Sequence, residues 1–279
     1  MYKIASAKNL TGDLYEFKIE APHITRHGKP GQFIILRVDA KGERIPLTIA
    51  DIDKKNGLLT IVFMAVGFTT KKLAALKTGE SIQDIVGPLG VATETTENFG
   101  TVAVVAGGYG AAPAYLIAQS YKENGNKVYM IFGARNEELL FWQDKMKNAC
   151  DELYITTDDG SFGIKGLVTD PLKMIIEREK VDHVMCIGPI PMMRAVARLT
   201  KEYDIYTIAS MNPLMVDGTG MCGGCRVSVD GEIKFACVDG PDFDAHKVDF
   251  DELINRNKVY DHYTCKLESK VNELEAQKF

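Results

Sequence analysis

Val102-Ala103-Val104-Val105-Ala106-Gly107-Gly108-Tyr109-Gly110-Ala111-Ala112-Pro113 runs from a fully apolar stretch through a glycine turn into an alanine-rich segment. It reads as buried strand, tight turn and helix, the opening unit of a parallel sheet covered on both faces. Missing side chains let a diphosphate approach such a turn, and the helix start offers free N–H groups to anionic oxygens. Glycine also serves plain close packing of helix on strand, and both readings stay open at this point.

Outward from this segment the alternation continues. Lys127 to Gly133, Leu153 to Thr156 and His183 to Ile187 read as further strands, and Glu137 to Asn148 reads as one helix. Glycine turns follow two of those strands, at Thr157-Asp158-Asp159-Gly160-Ser161-Phe162-Gly163 and at Gly188-Pro189-Ile190-Pro191. Turns that all follow strands of one parallel sheet gather at its carboxyl edge, where open α/β sheets bind ligands. The candidate contacts there are Gly107, Gly108, Gly110, Ala111, Pro113, Arg135, Asp159, Gly160, Gly188 and Pro189.

Upstream, the pattern is different. Leu14 to Ile19, Gln32 to Val38 and Leu58 to Phe63 are short β-branched or aromatic runs separated by turns such as Lys29-Pro30-Gly31. They predict a closed antiparallel barrel, with a short helix starting after Thr69-Thr70 and turning Leu73, Ala74 and Leu76 inward. The expected division is a β-barrel at 1–97, an α/β nucleotide domain at 98–210 and a small cysteine-rich domain with a tail at 211–279. Lys266 to Phe279 reads as a surface helix or frayed tail.

Downstream, Asp217-Gly218-Thr219-Gly220-Met221-Cys222-Gly223-Gly224-Cys225, followed by Cys237, gives the spacing D-x4-C-x2-C-x11-C. This is the plant-type 2Fe–2S pattern with aspartate in the first position, making Asp217, Cys222, Cys225 and Cys237 the candidate ligands. A zinc site with the same donors is the rival, though the second Cys-x2-Cys knuckle of a zinc ribbon is missing. Asp217 could instead shape a turn, leaving Cys265 or Cys186 as fourth ligand. Cys186 has two further readings, a place beside a nicotinamide ring or a buried strand position.

Composition excludes other classes. The 279 residues carry a net charge of −5, so no basic field is available for nucleic acid or an anionic membrane. The uncharged stretch between Glu97 and Lys122 is broken by Gly107, Gly108, Gly110 and Pro113, unlike a membrane helix. Met1-Tyr2-Lys3-Ile4-Ala5-Ser6 has no signal-peptide pattern, and a cytoplasmic protein is expected.

Taken together, these motifs resemble the ferredoxin reductase superfamily over nearly the whole chain. Gly107 to Pro113 matches its Gly-Gly-x-Gly-x-Ala-Pro signature. Arg44-Ile45-Pro46-Leu47-Thr48 is similar to its flavin motif, with the threonine four residues after the arginine rather than the usual three. Val66-Gly67-Phe68-Thr69-Thr70 resembles the segment that holds the FAD diphosphate, and Gly87-Pro88-Leu89-Gly90 the barrel exit. The resemblance therefore implies FAD on Arg44, Pro46, Leu47, Thr48, Val66, Gly67, Thr69 and Thr70, and NAD(H) on the glycine turns. Aspartate at the first cluster position and the Arg-Ile-Pro-Leu-Thr form resemble small subunits of NADH-dependent reduced ferredoxin:NADP oxidoreductases, which are electron-bifurcating. The alternatives are a dihydroorotate dehydrogenase electron-transfer subunit, an oxygenase reductase, or a scaffold that keeps the fold and transfers nothing. The resemblance implies a heterodimer with a larger flavoprotein subunit bearing 4Fe–4S clusters, with ferredoxin reached only indirectly. Glu137 and Glu138, after the second strand, would disfavour a 2′-phosphate and so favour NAD(H).

Overall fold

The computed structural model describes residues 1–258. Cys265 and the segment from Lys266 to Phe279 lie outside the described residues.

The first seven strands are β1 (Tyr2–Thr11), β2 (Leu14–Glu20), β3 (Phe33–Arg37), β4 (Arg44–Asp53), β5 (Leu58–Met64), β6 (Ser81–Ile82) and β7 (Asp84–Leu89). They form one antiparallel sheet in the order β6-β1-β2-β5-β4-β3-β7. Its two end strands are consecutive in the chain with only Gln83 between them, so the sheet curls round and closes through the chain itself. Closure matters because open edges invite unwanted pairing. Ile4, Phe17, Ile34, Leu36, Ile49 and Phe63 fill the interior. Two helices attend the barrel, α1 (Pro22–His27) and α2 (Phe68–Ala74). The second begins at Phe68, earlier than the pattern predicts, because Gly67 caps it. The Gly67 amide donates to Thr70 Oγ1 at 2.9 Å and that hydroxyl donates back to the Gly67 carbonyl at 3.0 Å.

The second sheet contains β8 (Thr101–Gly107), β9 (Lys127–Ala134), β10 (Glu152–Thr157), β11 (Ile164–Lys165), β12 (His183–Ile187) and β13 (Tyr206–Ser210). These strands are mutually parallel. Their apolar runs are continuous because both faces are covered. Val102, Val104 and Ala106 point one way, towards α3 (Ala111–Glu123) and α4 (Gln143–Ala149). Ala103 and Val105 point the other way, towards α5 (Thr169–Arg178) and α6 (Ile190–Glu202). On the first face the core does not stop at the sheet. Leu14, Ala50 and Val62 of the barrel belong to the same buried cluster as Val104, Ile117 and Phe132.

The cysteine-rich region adds a hairpin, β14 (Arg226–Val229) and β15 (Glu232–Phe235), and then β16 (Asp242–Asp244). β16 pairs antiparallel with β13, so this region contributes the edge strand of the nucleotide sheet and shares hydrogen bonds across the 210/211 boundary expected from the sequence. Residues 250–258 form a further helix. No described helix is long and apolar enough to cross a membrane.

The helix expected over Glu137 to Asn148 is interrupted. A single 3-10 turn covers Glu137–Leu139, Leu140 and Phe141 turn into the core, and α4 starts only after Trp142. Trp142 is left-handed, at φ 54° and ψ 24°, an uncommon conformation for a bulky residue. Its indole N–H donates to Glu16 Oε2 of the barrel at 2.8 Å. This distant partner is what local periodicity could not reveal.

Candidate functional site

A cavity of about 490 Å³ opens where the carboxyl edge of the parallel sheet meets the barrel. The barrel side supplies Thr11, Asp13, Leu14 and Met64. The sheet side supplies Gly107, Gly108 and Tyr109 after β8, Arg135 after β9 and Asp158 after β10. Pro189, Pro191 and Met192 close the end nearest α6. The three glycine turns thus converge as strand topology requires.

The glycines divide between the two readings the sequence left open. A Cβ on Gly110 would sit 2.8 Å from the Ile187 carbonyl oxygen, and one on Gly107 only 2.5 Å from Met192 Sδ. These two serve close packing. Gly108, at φ +55°, would place a Cβ in open space. That leaves bare backbone at the cavity wall, beside the first turn of α3, which has no side-chain cap. Room for a ligand thus occurs beside a helix start, which suits a diphosphate. Gly188 packs against Met192 and the Gly107 backbone rather than lining the space. Ala111 and Pro113 are buried in the helix start.

Of the adjacent acids, Asp158 lines the cavity. Asp159 does not, because its Oδ1 accepts from the Ser161 amide at 2.9 Å and hydroxyl at 2.7 Å. Those bonds hold its carboxyl below the usual range, and Gly160, at φ +80°, completes the turn. Glu137 and Glu138 are absent from the cavity wall, so Asp158 and Arg135 are the charged groups there besides Asp13 of the barrel. Asp158, Met192 and Leu167 line the cavity beyond the contacts expected from the glycine turns. Strand period alone could have flagged Asp158 over its neighbour.

Cys186 is fully buried between Val105 and Ala209 in the sheet, and burial pushes its thiol well up. The structure therefore selects its buried-strand reading, neither beside the cavity nor in the cluster loop.

On the barrel, Arg44, Pro46 and Thr48 alternate with Ile45 and Leu47 along β4. Ile45 and Leu47 pack against the barrel core. Leu47 therefore turns its side chain towards the barrel core and is left to meet a ligand through its backbone, as the two-residue period of a strand requires. Thr69 donates its hydroxyl to Glu43 Oε2 at 2.7 Å, which draws the Val66 to Thr70 segment against the start of β4. Val66 is 61% exposed beside it.

In the cysteine-rich loop, the Sγ atoms of Cys225 and Cys237 lie 3.2 Å apart in a buried setting. Burial and the neighbouring Cys225 push the Cys237 thiol upward. Asp217 Oδ1 accepts from the Thr219 amide and Oδ2 from the Cys222 amide, both at 2.8 Å. Cys222 is exposed, with the Gly224 amide 3.5 Å from its sulfur. Cys225 and Cys237 thus stand together, and the Asp217 carboxylate is held at the Cys222 backbone. A 2Fe–2S cluster takes two donors on each iron, and these residue types in this spacing fit it.

With this geometry in view, comparison with known proteins is decisive. Residues 212–249 match the iron–sulfur cluster binding domain of dihydroorotate dehydrogenase B. Residues 104–198 match the oxidoreductase NAD-binding domain. An electron transfer subunit homolog of dihydroorotate dehydrogenase B (NAD(+)) from Thermotoga maritima is 44% identical, covering 92% of this chain and 91% of the relative. The chain belongs to the dihydroorotate dehydrogenase B electron-transfer subunit family. An uncharacterised protein in the adh 3′ region of Clostridium beijerinckii is 49% identical, over 98% of this chain and 95% of its own length. A chain in the solved structure of an NADH-dependent reduced ferredoxin–NADP oxidoreductase, reported for flavin-based electron bifurcation, superposes with a TM-score of 0.87 at 44% identity over 92% of each chain. Members of this family are electron-transfer subunits, so a partner subunit belongs to the functional unit. The chain is an oxidoreductase subunit with an NAD-binding domain and an iron–sulfur cluster binding domain.

Proposed function

We propose that this chain is the small subunit of an electron-bifurcating NADH-dependent reduced ferredoxin:NADP oxidoreductase. It exchanges hydride with NAD(H) and passes single electrons to a larger flavoprotein subunit that carries 4Fe–4S clusters. Ferredoxin would be reached only through that partner.

One juxtaposition carries the reading. Gly218, beside the candidate ligand Asp217, packs so closely on the barrel that a Cβ there would lie 2.8 Å from Leu89 and 3.0 Å from Ile35. Ile35 of β3 is the register partner of Pro46 in β4. The cluster loop therefore packs directly on the strand that pairs with the flavin motif. When bound, FAD supplies the conversion between two-electron hydride chemistry and one-electron transfer. The chain's own residues divide the remaining work. Arg44, Pro46 and Thr48 offer an outward face for the flavin, with the Leu47 backbone between them, and Val66, Gly67, Thr69 and Thr70 lie beside that face. Gly107, Gly108 and Gly110, with Ala111 and Pro113, shape the diphosphate turn. Gly188 and Pro189 close its far side. Asp158 is placed to accept from ribose hydroxyls, with Arg135 next to it. Asp217 and Cys222 would hold one iron, Cys225 and Cys237 the other.

Anaerobic purification with whatever co-elutes tests the reading. The chain should carry one FAD and about two irons and two acid-labile sulfides. Alone, it should reduce artificial acceptors with NADH, and NADPH-driven ferredoxin reduction should appear only with the larger subunit. Stoichiometric zinc without sulfide, or complete ferredoxin reduction by the isolated chain, would exclude it. Purification with a dihydroorotate-oxidising partner would favour the alternative within the same family.

A further inference from the structure

The contact between barrel and nucleotide domain is mostly apolar, with Leu14, Ala50 and Val62 on one side and Phe132 and Phe141 on the other. A carboxylate at such a place is costly unless it has a specific partner. Glu16 is only 5% exposed there, and its carboxylate accepts the Trp142 indole N–H at 2.8 Å across the junction. The Trp142 ring is held on its other sides as well. Lys145 Nζ sits 3.9 Å from its centroid and reaches Asp51 of β4 at 3.1 Å. Tyr115 meets the ring edge-on at 5.6 Å. A left-handed tryptophan persists only when its surroundings over-determine it.

Both ends of this bond lead straight to the cavity wall. On β2, Glu16 shares a strand face with Leu14, which lines the cavity together with its register partner Met64. On the other side, Phe141 immediately precedes Trp142 and lines the cavity with Leu139. Thr11, another lining residue, donates its hydroxyl to the carbonyl of Glu138 in the same short segment. Any slip between Trp142 and Glu16 would therefore move the two cavity walls relative to each other.

We propose that Glu16 and Trp142 are positioning residues for hydride transfer, pinning the nucleotide cavity in register with the flavin face of the barrel. The inference rests on the hydride exchange proposed above. Neither residue needs to touch NAD(H) or FAD. They act through Phe141 and Leu14.

The test is anaerobic stopped-flow reduction of the FAD by NADH in the purified full chain, with FAD content and melting temperature measured for every variant. Glu16→Met fills the space and leaves the indole N–H without an acceptor, so some loss of melting temperature is expected and rates are compared on folded, FAD-loaded protein only. Its limiting rate at saturating NADH should fall about tenfold or more, because sub-ångström misplacement is costly in a transfer that depends on alignment. Half-saturation should stay within about threefold, and the nicotinamide–flavin charge-transfer band should weaken. Glu16→Gln, whose amide oxygen accepts the same N–H, should recover the rate to within about twofold. Trp142→Phe should match Glu16→Met, and the double variant should be no slower than either single. Wild-type rates in Glu16→Met and Trp142→Phe would overturn the pin, as would a Glu16→Gln as slow as Glu16→Met. A wild-type chain loaded with FAD that NADH does not reduce would overturn the hydride reading itself, a result distinct from any difference among variants.

Discussion

Asp217 Oδ2 accepts the Cys222 amide at 2.8 Å, which ties the first and second candidate ligand positions into one closed loop. The same carboxylate holds the Thr219 amide through its other oxygen, and those backbone bonds keep its carboxyl below the usual range. An ionised oxygen donor is therefore preformed beside the exposed Cys222 sulfur.

Asp217→Cys should retain about two irons and two sulfides, because the spacing already suits a thiolate, while altering the visible and electron spin spectra. Asp217→Ala removes both the donor and the two loop bonds, so iron should fall well below one cluster per chain. Unchanged iron and spectrum in the alanine variant would reduce Asp217 to a turn former.

Asp158 is the carboxylate that follows β10 at the cavity wall, facing the same space as Arg135. Replacing it with serine removes both a ribose acceptor and a charge that repels a 2′-phosphate. The NADH-over-NADPH preference in flavin reduction should drop about tenfold or more. Asp159→Ser should leave the preference near wild type, since that carboxylate is engaged with Ser161.

The glycines of the β8 turn should separate by readout. Gly110→Ala drives a methyl onto the Ile187 carbonyl and should destabilise the fold by about 1–3 kcal/mol. Gly108→Ala meets no neighbour, so its folding cost should be the left-handed strain alone, about 1 kcal/mol. Its main effect should be a raised KM for NADH, because the methyl points into the cavity. Thermal melts and steady-state kinetics on the two variants distinguish these outcomes.

His183 lies between Phe99 and Tyr206, and the Tyr121 hydroxyl meets its Nε2 at 3.0 Å. Burial pushes its pKa down to about 4 from an ordinary 6.5. The native state therefore keeps it neutral while the unfolded chain takes up a proton. Between pH 6.5 and about 4 the unfolded state binds more protons, so stability falls as the pH falls. Across that window the loss from this group should be roughly 3 kcal/mol. His183→Phe should flatten the dependence of unfolding free energy on pH there; an unchanged slope would contradict the assignment.

The parts of the fold that were legible in the sequence are those decided by local pattern. His183 to Ile187 reads as a strand because five buried residues sit between turn signals, and β12 has those bounds. The glycine turns and the cysteine spacing are likewise local, and topology alone brings the turns together. What local pattern lacked was a partner far along the chain. The break at Trp142 depends on Glu16, 126 residues earlier, and no periodicity within Glu137 to Asn148 encodes it. Side-chain direction was the other loss. Leu47, Cys186 and Asp159 each stand one residue from a position that faces a ligand space or a strand end, and each points elsewhere. A motif read as a block of letters blurs that alternation, which strand geometry would have restored.

Leu14, Ala50 and Val62 leave the barrel to join the core of the neighbouring sheet. Barrel and nucleotide halves are accordingly poor interchangeable modules. A chimera cut near residue 97 that borrowed its second half from a distant relative would set foreign side chains against these three positions. It should melt in two transitions and precipitate readily, until the outward residues of β2, β4 and β5 were transplanted along with it.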